Sequence, residues 1–225
     1  MEFLHAVIVL SNFVIIPAIT YGSQLALGAL GVTLVYGILR FSNFAHGDTM
    51  AFGTMVAILF TWWFQSIGVS IAPLPTALLA LPIAIVLTAL LLLGTDRVVL
   101  RFYRKQKSAP VILLIVSLGI MFVYNGLVRF IIGVGDQRFS DGSRFIISAR
   151  DFKKLTGLDE GLAIKTTQVI TVITAVMVVA LLFWFLNRTR TGKSMRAFSD
   201  NEDLALLSGI NPERVVLYTL SLIHI

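Results

Sequence analysis

The chain has 225 residues, 57% of them hydrophobic and 13% charged, with a mean hydropathy of +0.89. That composition excludes a soluble globular domain, and the formal charge of +6 does not signal nucleic acid, because the basic residues cluster at the ends of apolar runs as the topology of membrane proteins demands. With no cysteine, disulfides, thiolate catalysis and cysteine-held metals are excluded too.

The apolar runs lack the alternation of a transmembrane barrel and read as helices. Met1-Glu2 carries no basic leader and no small-residue cleavage site follows, so the first run is expected to be a retained segment. Residues 4 to 39 would make about 54 Å of helix, too long for a single span. Pro17 and the Tyr21-Gly22-Ser23-Gln24 stretch predict a break, giving spans over 4 to 21 and 24 to 40 and a cytoplasmic N-terminus. The rival reading is an interfacial helix followed by one span. Gly28-Ala29-Leu30-Gly31, and Gly53 with Ala57, place small residues on helix faces, as close packing in membranes requires.

Asn43-Phe44-Ala45-His46-Gly47-Asp48 then gathers an amide, an imidazole and a carboxylate between two apolar runs. Such groups are costly in lipid, so Asn43, His46 and Asp48 are candidates to line a path or its gate. A turn with Asp48 as the helix cap is the plainer alternative. No second ligand stands at metal spacing from His46, which argues against a metal site.

Residues 50 to 67 form the next outward span, with Trp62 and Trp63 at the outer interface. A proline-containing outer turn at Ala72-Pro73-Leu74-Pro75 leads into 76 to 96, which runs inward to a cytoplasmic loop carrying Arg97, Arg101, Arg104, Lys105 and Lys107. Residues 111 to 132 run outward, with Arg129 snorkelling at the outer end and Asn125 able to hydrogen-bond across helices. Residues 133 to 165 form an extracytoplasmic loop, and 166 to 187 return inward.

Residues 188 to 212 are polar and basic, which places them in the cytoplasm as a loop. Ser199 and Glu202 have capping-box spacing, predicting a helix from near Asp200 that stops at Gly209, after which Asn211-Pro212 caps and opens the next helix. A helix so short is marginal alone in water, so Leu204, Ala205 and Leu207 are expected to pack on a partner protein outside the membrane. Gly192-Lys193-Ser194 imitates the end of a phosphate-binding loop, but Asn187 stands where its first glycine belongs and a membrane helix stands in place of the strand.

From Pro212 to Ile225 the chain is short of the about 20 residues that a span needs. The expected fold is therefore all-α and polytopic, a single transmembrane domain over residues 1 to 225 with about six complete spans and the start of another, incomplete at its C-terminus. Leu220-Ser221-Leu222-Ile223-His224-Ile225 resembles a translated sequencing adaptor and is expected to be an artefact.

Two stretches carry a resemblance. Gly31 to Asp48, reading G-V-T-L-V-Y-G-I-L-R-F-S-N-F-A-H-G-D, resembles the N-terminal signature of the branched-chain amino acid ABC transporter permeases, with Asp48 where glutamate is common. Thr191 to Ala197, with Leu206 to Asn211, resembles that family's cytoplasmic coupling region, though the wider importer motif is only half present, as Asp203-Leu204-Ala205 and Gly209.

The resemblance implies a non-enzymatic, multi-pass subunit of a bacterial-type inner membrane. It would couple to ATPases through Glu202, Asp203, Leu204, Ala205, Leu207 and Gly209. Its implied partners are two cytoplasmic ATPase subunits, a second related permease, an extracytoplasmic binding protein and the lipid bilayer. No cofactor is implied. Urea and short-amide permeases share both signatures. A secondary transporter or channel would show charged groups in broken helices of paired repeats, and the candidate spans here are nearly free of charge. A membrane-embedded enzyme lacks a nucleophile with a base at suitable spacing.

Overall fold

The computed structural model describes residues 2–69, 74–137, 145–158 and 160–222. The Ala72-Pro73 half of the expected outer turn and the last three residues of the adaptor-like hexapeptide lie outside them. The chain divides into two units, Met1–Leu27 with Ile71–Pro75 and Ser140–Leu181, and Gly28–Ser70 with Thr76–Phe139 and Leu182–Ile225.

In the first unit, α1 (Glu2–Leu10) passes through a π-helical stretch (Ser11–Ile15) into α2 (Ile16–Leu39), which continues into the second unit. Glu2–Ile38 is one apolar helix of 37 residues. The break expected near Pro17 and Tyr21–Gln24 does not occur. A proline ring collides with the carbonyl four residues back, here that of Phe13, and the wider π turn around Phe13 absorbs the conflict without interrupting the helix. Thr20 and Ser23 donate their hydroxyls to the carbonyls of Ile16 and Ile19 at 2.8 and 2.7 Å, so these polar residues stay helical.

The segment expected as an outer loop has structure of its own. β1 (Phe145–Ile147) pairs antiparallel with β2 (Ile164–Lys165), with Phe145 opposite Lys165 and Ile147 opposite Ile164. Between them α7 (Ala149–Thr156) is capped by Ser148, whose Oγ accepts the Asp151 N–H at 3.2 Å. Asn12 ties this region to the π turn, donating to the Gly161 carbonyl at 2.7 Å and accepting from the Ala163 N–H at 3.0 Å. α8 (Thr166–Arg188) follows directly and crosses into the second unit.

In the second unit α3 (His46–Ser66) packs on α4 (Ala77–Thr95) and α6 (Pro110–Ile132). A Cβ on Gly53 would come 3.0 Å from Thr88 Oγ1, so the small residue sets the close α3–α4 approach that its position predicts. α4 runs through a second π-helical stretch (Asp96–Leu100) into α5 (Arg101–Lys105), so the basic segment expected as loop begins as helix. Arg104 forks onto Asp96, its Nη2 lying 2.9 Å from Oδ2. Phe41, Ala45, Leu100, Leu113, Ile120 and Tyr124 form one buried cluster, and Met55, Val56 and Ala84 another.

Among the described residues four helices are long and apolar enough to cross a membrane: Glu2–Ile38, Ala77–Lys105, Pro110–Ile132 and Thr166–Arg188. The two spans expected at the N-terminus are thus a single helix. α3 is long, but His46, Asp48, Thr49, Thr54, Thr61 and Gln65 dilute its apolar content below that of the four. Large apolar side chains such as Phe122 and Phe130 are 70% and 88% exposed, a surface suited to lipid as solvent. The chain is an all-α, polytopic membrane protein.

Candidate functional site

α2 ends where Arg40 turns left-handed at φ 57°, its N–H still bonded to the Tyr36 carbonyl at 3.1 Å. The buried Phe41 ring then anchors a short turn. Within it Asn43 Oδ1 accepts the Ala45 N–H at 3.1 Å and the Asn43 carbonyl accepts the His46 N–H at 3.3 Å, an Asx turn that launches α3. Asp48 is not the cap of α3. The cap is Ala45, with no side-chain bond, and Asp48 Oδ1 instead accepts from Asn125 Nδ2 of α6 at 2.9 Å.

His46 is 6% exposed, and the Gly28 backbone lies in reach of its imidazole. Its Nε2 is buried with no hydrogen-bond partner among the described residues. Asn43, His46 and Asp48 are therefore brought to one turn but directed at three different partners. The turn is held on α6 at a second point, because Ser117 Oγ accepts the Phe44 N–H at 3.1 Å while donating to the Leu114 carbonyl at 2.7 Å. Ser117 was not apparent from the motif. It stands about two helical turns before Asn125 in an otherwise apolar run, and that shared face is the signal that marks it.

The second candidate region is built differently from the expectation. Residues 190 to 200 form a helix of their own, α9 (Arg190–Asp200), and α10 (Glu202–Leu207) follows. Thr189 Oγ1 caps α9 by accepting the Gly192 N–H at 3.0 Å. A Cβ at Gly192 would lie 2.2 Å from the Phe185 carbonyl oxygen, so this glycine serves the tight exit from α8. The Ser199–Glu202 capping box does not form. Asn201 is the cap of α10, extended at φ −152° and accepting the Leu204 N–H at 3.0 Å. Ser199 is diverted because its hydroxyl donates to the Gly37 carbonyl at 2.6 Å, one of the acceptors that the end of α2 leaves open.

At the far end, Gly209 takes φ 80° as its position predicts, with its N–H on the Leu206 carbonyl and the Ile210 N–H on Ala205, both at 3.0 Å. Asn211 Oδ1 accepts the Glu213 N–H at 3.0 Å and opens α11 (Pro212–Leu222), as expected of Asn211-Pro212. Glu202, Asp203, Leu204 and Leu207 lie on the surface of α10, with Leu204 61% and Leu207 85% exposed. Ala205 corrects the expectation: at 3% exposure it is buried with Ile38, Met195, Phe198 and Val215 and so faces the chain's own core. Leu206, not singled out from the sequence, is 43% exposed. α11 packs on α9 and α4, and an Arg101–Glu213 ion pair of 3.0 Å joins α5 to its first turn. Among the described residues no group of three or more His, Asp or Glu is placed to hold a metal ion.

The sequence has relatives. A family model described as "Branched-chain amino acid transport system / permease component" matches residues 14–223. The chain is 28% identical over 204 residues to the high-affinity branched-chain amino acid transport system permease protein LivH of Salmonella typhimurium, covering 89% of this chain and 63% of that protein. It is 29% identical to LivH of Escherichia coli K12, over 89% of this chain and 63% of the relative, and 26% identical to BraD of Pseudomonas aeruginosa, over 91% and 64%. The chain therefore spans less than two thirds of the length of these relatives. No solved structure matches it significantly. Both motifs that carry the resemblance, Gly31 to Asp48 and Thr191 to Asn211, fall inside the matched region, and the chain belongs to the family of branched-chain amino acid transport permease components.

Proposed function

We propose that this chain is the membrane-spanning permease of an ATP-driven importer for branched-chain amino acids. It hydrolyses no ATP itself. Residues 188 to 212 lie on the cytoplasmic side, and α10 docks into a cleft of a separate ATPase. A second permease and an extracytoplasmic binding protein complete the assembly, and Asn43, His46 and Asp48 order the inner part of the path. Family membership and the names of the relatives support the substrate class.

The observation that carries the docking reading is the exposure of Leu204 and Leu207 on a helix fixed at both ends. A segment basic enough to sit in the cytoplasm has no lipid with which to cover two leucines. Replacing both with Asp in the complete protein should place unpaired charge in the contact and cost about 2 to 5 kcal/mol of association. The ATPases should then fail to co-purify and ATP-dependent leucine uptake should disappear. Retention of both would overturn the docking role, and uptake of urea in place of leucine would reassign the substrate. For the polar turn, His46→Ala should lower uptake more than it lowers the amount of protein inserted in the membrane. Wild-type uptake would return the turn to a structural one.

A further inference from the structure

The inner end of α2 and the α9–α10 pair are fastened at three places. Ser199 Oγ donates to the Gly37 carbonyl at 2.6 Å, the Arg40 guanidinium donates through Nη2 to the Ser199 carbonyl, and Ile38 shares a buried cluster with Met195, Phe198 and Ala205. α10 is joined to α9 in turn, since the Asn201 N–H bonds to the Ala197 carbonyl at 3.1 Å and the Asn201 carbonyl accepts the Ala205 N–H at 3.0 Å. The chain leaves the fastening through Phe41, buried beside Ala45, and enters α3 at His46.

Arg40 adds a conformational argument. Its φ of 57° lies where a side chain is disfavoured and glycine is the ordinary choice for reversing a chain at a helix end. An arginine held there exchanges backbone comfort for a guanidinium that reaches Ser199. Resting on the coupling role given to α10 above, we propose that Arg40 and Ser199 form a latch. It makes α9, α10 and the inner end of α2 one body, so that a displacement of α10 is delivered to the Phe41–Ala45 turn and to His46. They are positioning residues and touch no substrate.

Arg40→Gly separates this role from a merely structural one, because it relieves the left-handed backbone while removing the guanidinium. In the complete permease, reconstituted with its ATPases and binding protein, co-purification and ATP hydrolysis should persist. Uptake per ATP hydrolysed should fall about tenfold. Arg40→Lys, which keeps one charged donor, should recover part of the loss. An unchanged ratio in Arg40→Gly would overturn the latch.

A second variant keeps the test decisive if Arg40→Gly fails to accumulate. The chain has no cysteine, and a Cβ on Gly37 would stand 3.9 Å from Ser199 Oγ. With Gly37→Cys and Ser199→Cys, uptake per ATP hydrolysed should be lowered in the reduced protein, which lacks the Ser199 hydroxyl, and should recover when oxidation pairs the two thiols; equal ratios in the two states would overturn the latch. Loss of uptake on oxidation, restored by reductant, would show that the contact must open and would defeat the proposal. Failure of the ATPase-docking reading is recognised separately, by co-purification of the Leu204→Asp, Leu207→Asp protein.

Discussion

α9 and α10 are consecutive helices separated by Asn201 alone, yet they spend their apolar residues in opposite ways. α9 turns Met195 and Phe198 inward, at 0% and 7% exposure, and leaves Lys193 and Arg196 on its outer face. α10 buries only Ala205 and exposes Leu204, Leu206 and Leu207. The contrast separates two uses of a short helix. One is a strut whose apolar face completes the chain's own core. The other buries one small residue and leaves its large ones exposed, the surface on which the proposed docking rests.

That contrast can be broken or sharpened by substitution, beginning with the largest effect. Met195→Asp puts an uncompensated charge into the core of the strut and should cost about 3 to 5 kcal/mol. Limited proteolysis of membranes should then cleave between residues 188 and 212 faster than in the parent protein. Asn201→Ala removes the side-chain cap of α10, leaving the Leu204 N–H without its acceptor at a cost of about 1 kcal/mol. Its melting temperature should fall less than that of Met195→Asp. Leu207→Asp, at a residue 85% exposed, should shift stability by no more than about 0.5 kcal/mol in the isolated permease. A large loss of thermal stability in that variant would show that α10 is a second strut and erase the distinction.

Much of this architecture is legible in the sequence. The ends of α6 and α8 fall within a residue or two of the apolar runs, because Pro110 and Arg188 mark them with backbone or charge constraints that do not depend on the rest of the fold. Gly209 and Asn211-Pro212 are equally local signals. The errors arise where two residues compete for one role or where a neighbour absorbs a conflict. Ser199 and Asn201 are both competent caps, and the open Gly37 carbonyl on α2, distant in sequence, decides between them. Pro17 predicts a break, but the π turn before it removes the clash. In the polar turn, the residue types of Asn43, His46 and Asp48 are legible, as is the capacity of Asn125 to hydrogen-bond across helices. The pairing of Asp48 with Asn125 and of Phe44 with Ser117 required the α3–α6 register, which periodicity alone does not supply.

The π turn at Ser11–Ile15 also fixes an angular setting. A π turn accommodates one residue more than an α turn, and each residue advances the helix by about 100°. Deleting a single residue from this stretch would let it close into an ordinary α-helical turn with little net rotation of the helix on either side, but a different side chain would then face Gly161 and Ala163. Asn12 sits inside the stretch, and its carboxamide meets Gly161 and Ala163 with its amide and carbonyl ends respectively. The extra residue thus acts as a phase offset, written into the chain some 150 positions before the loop it is set to meet.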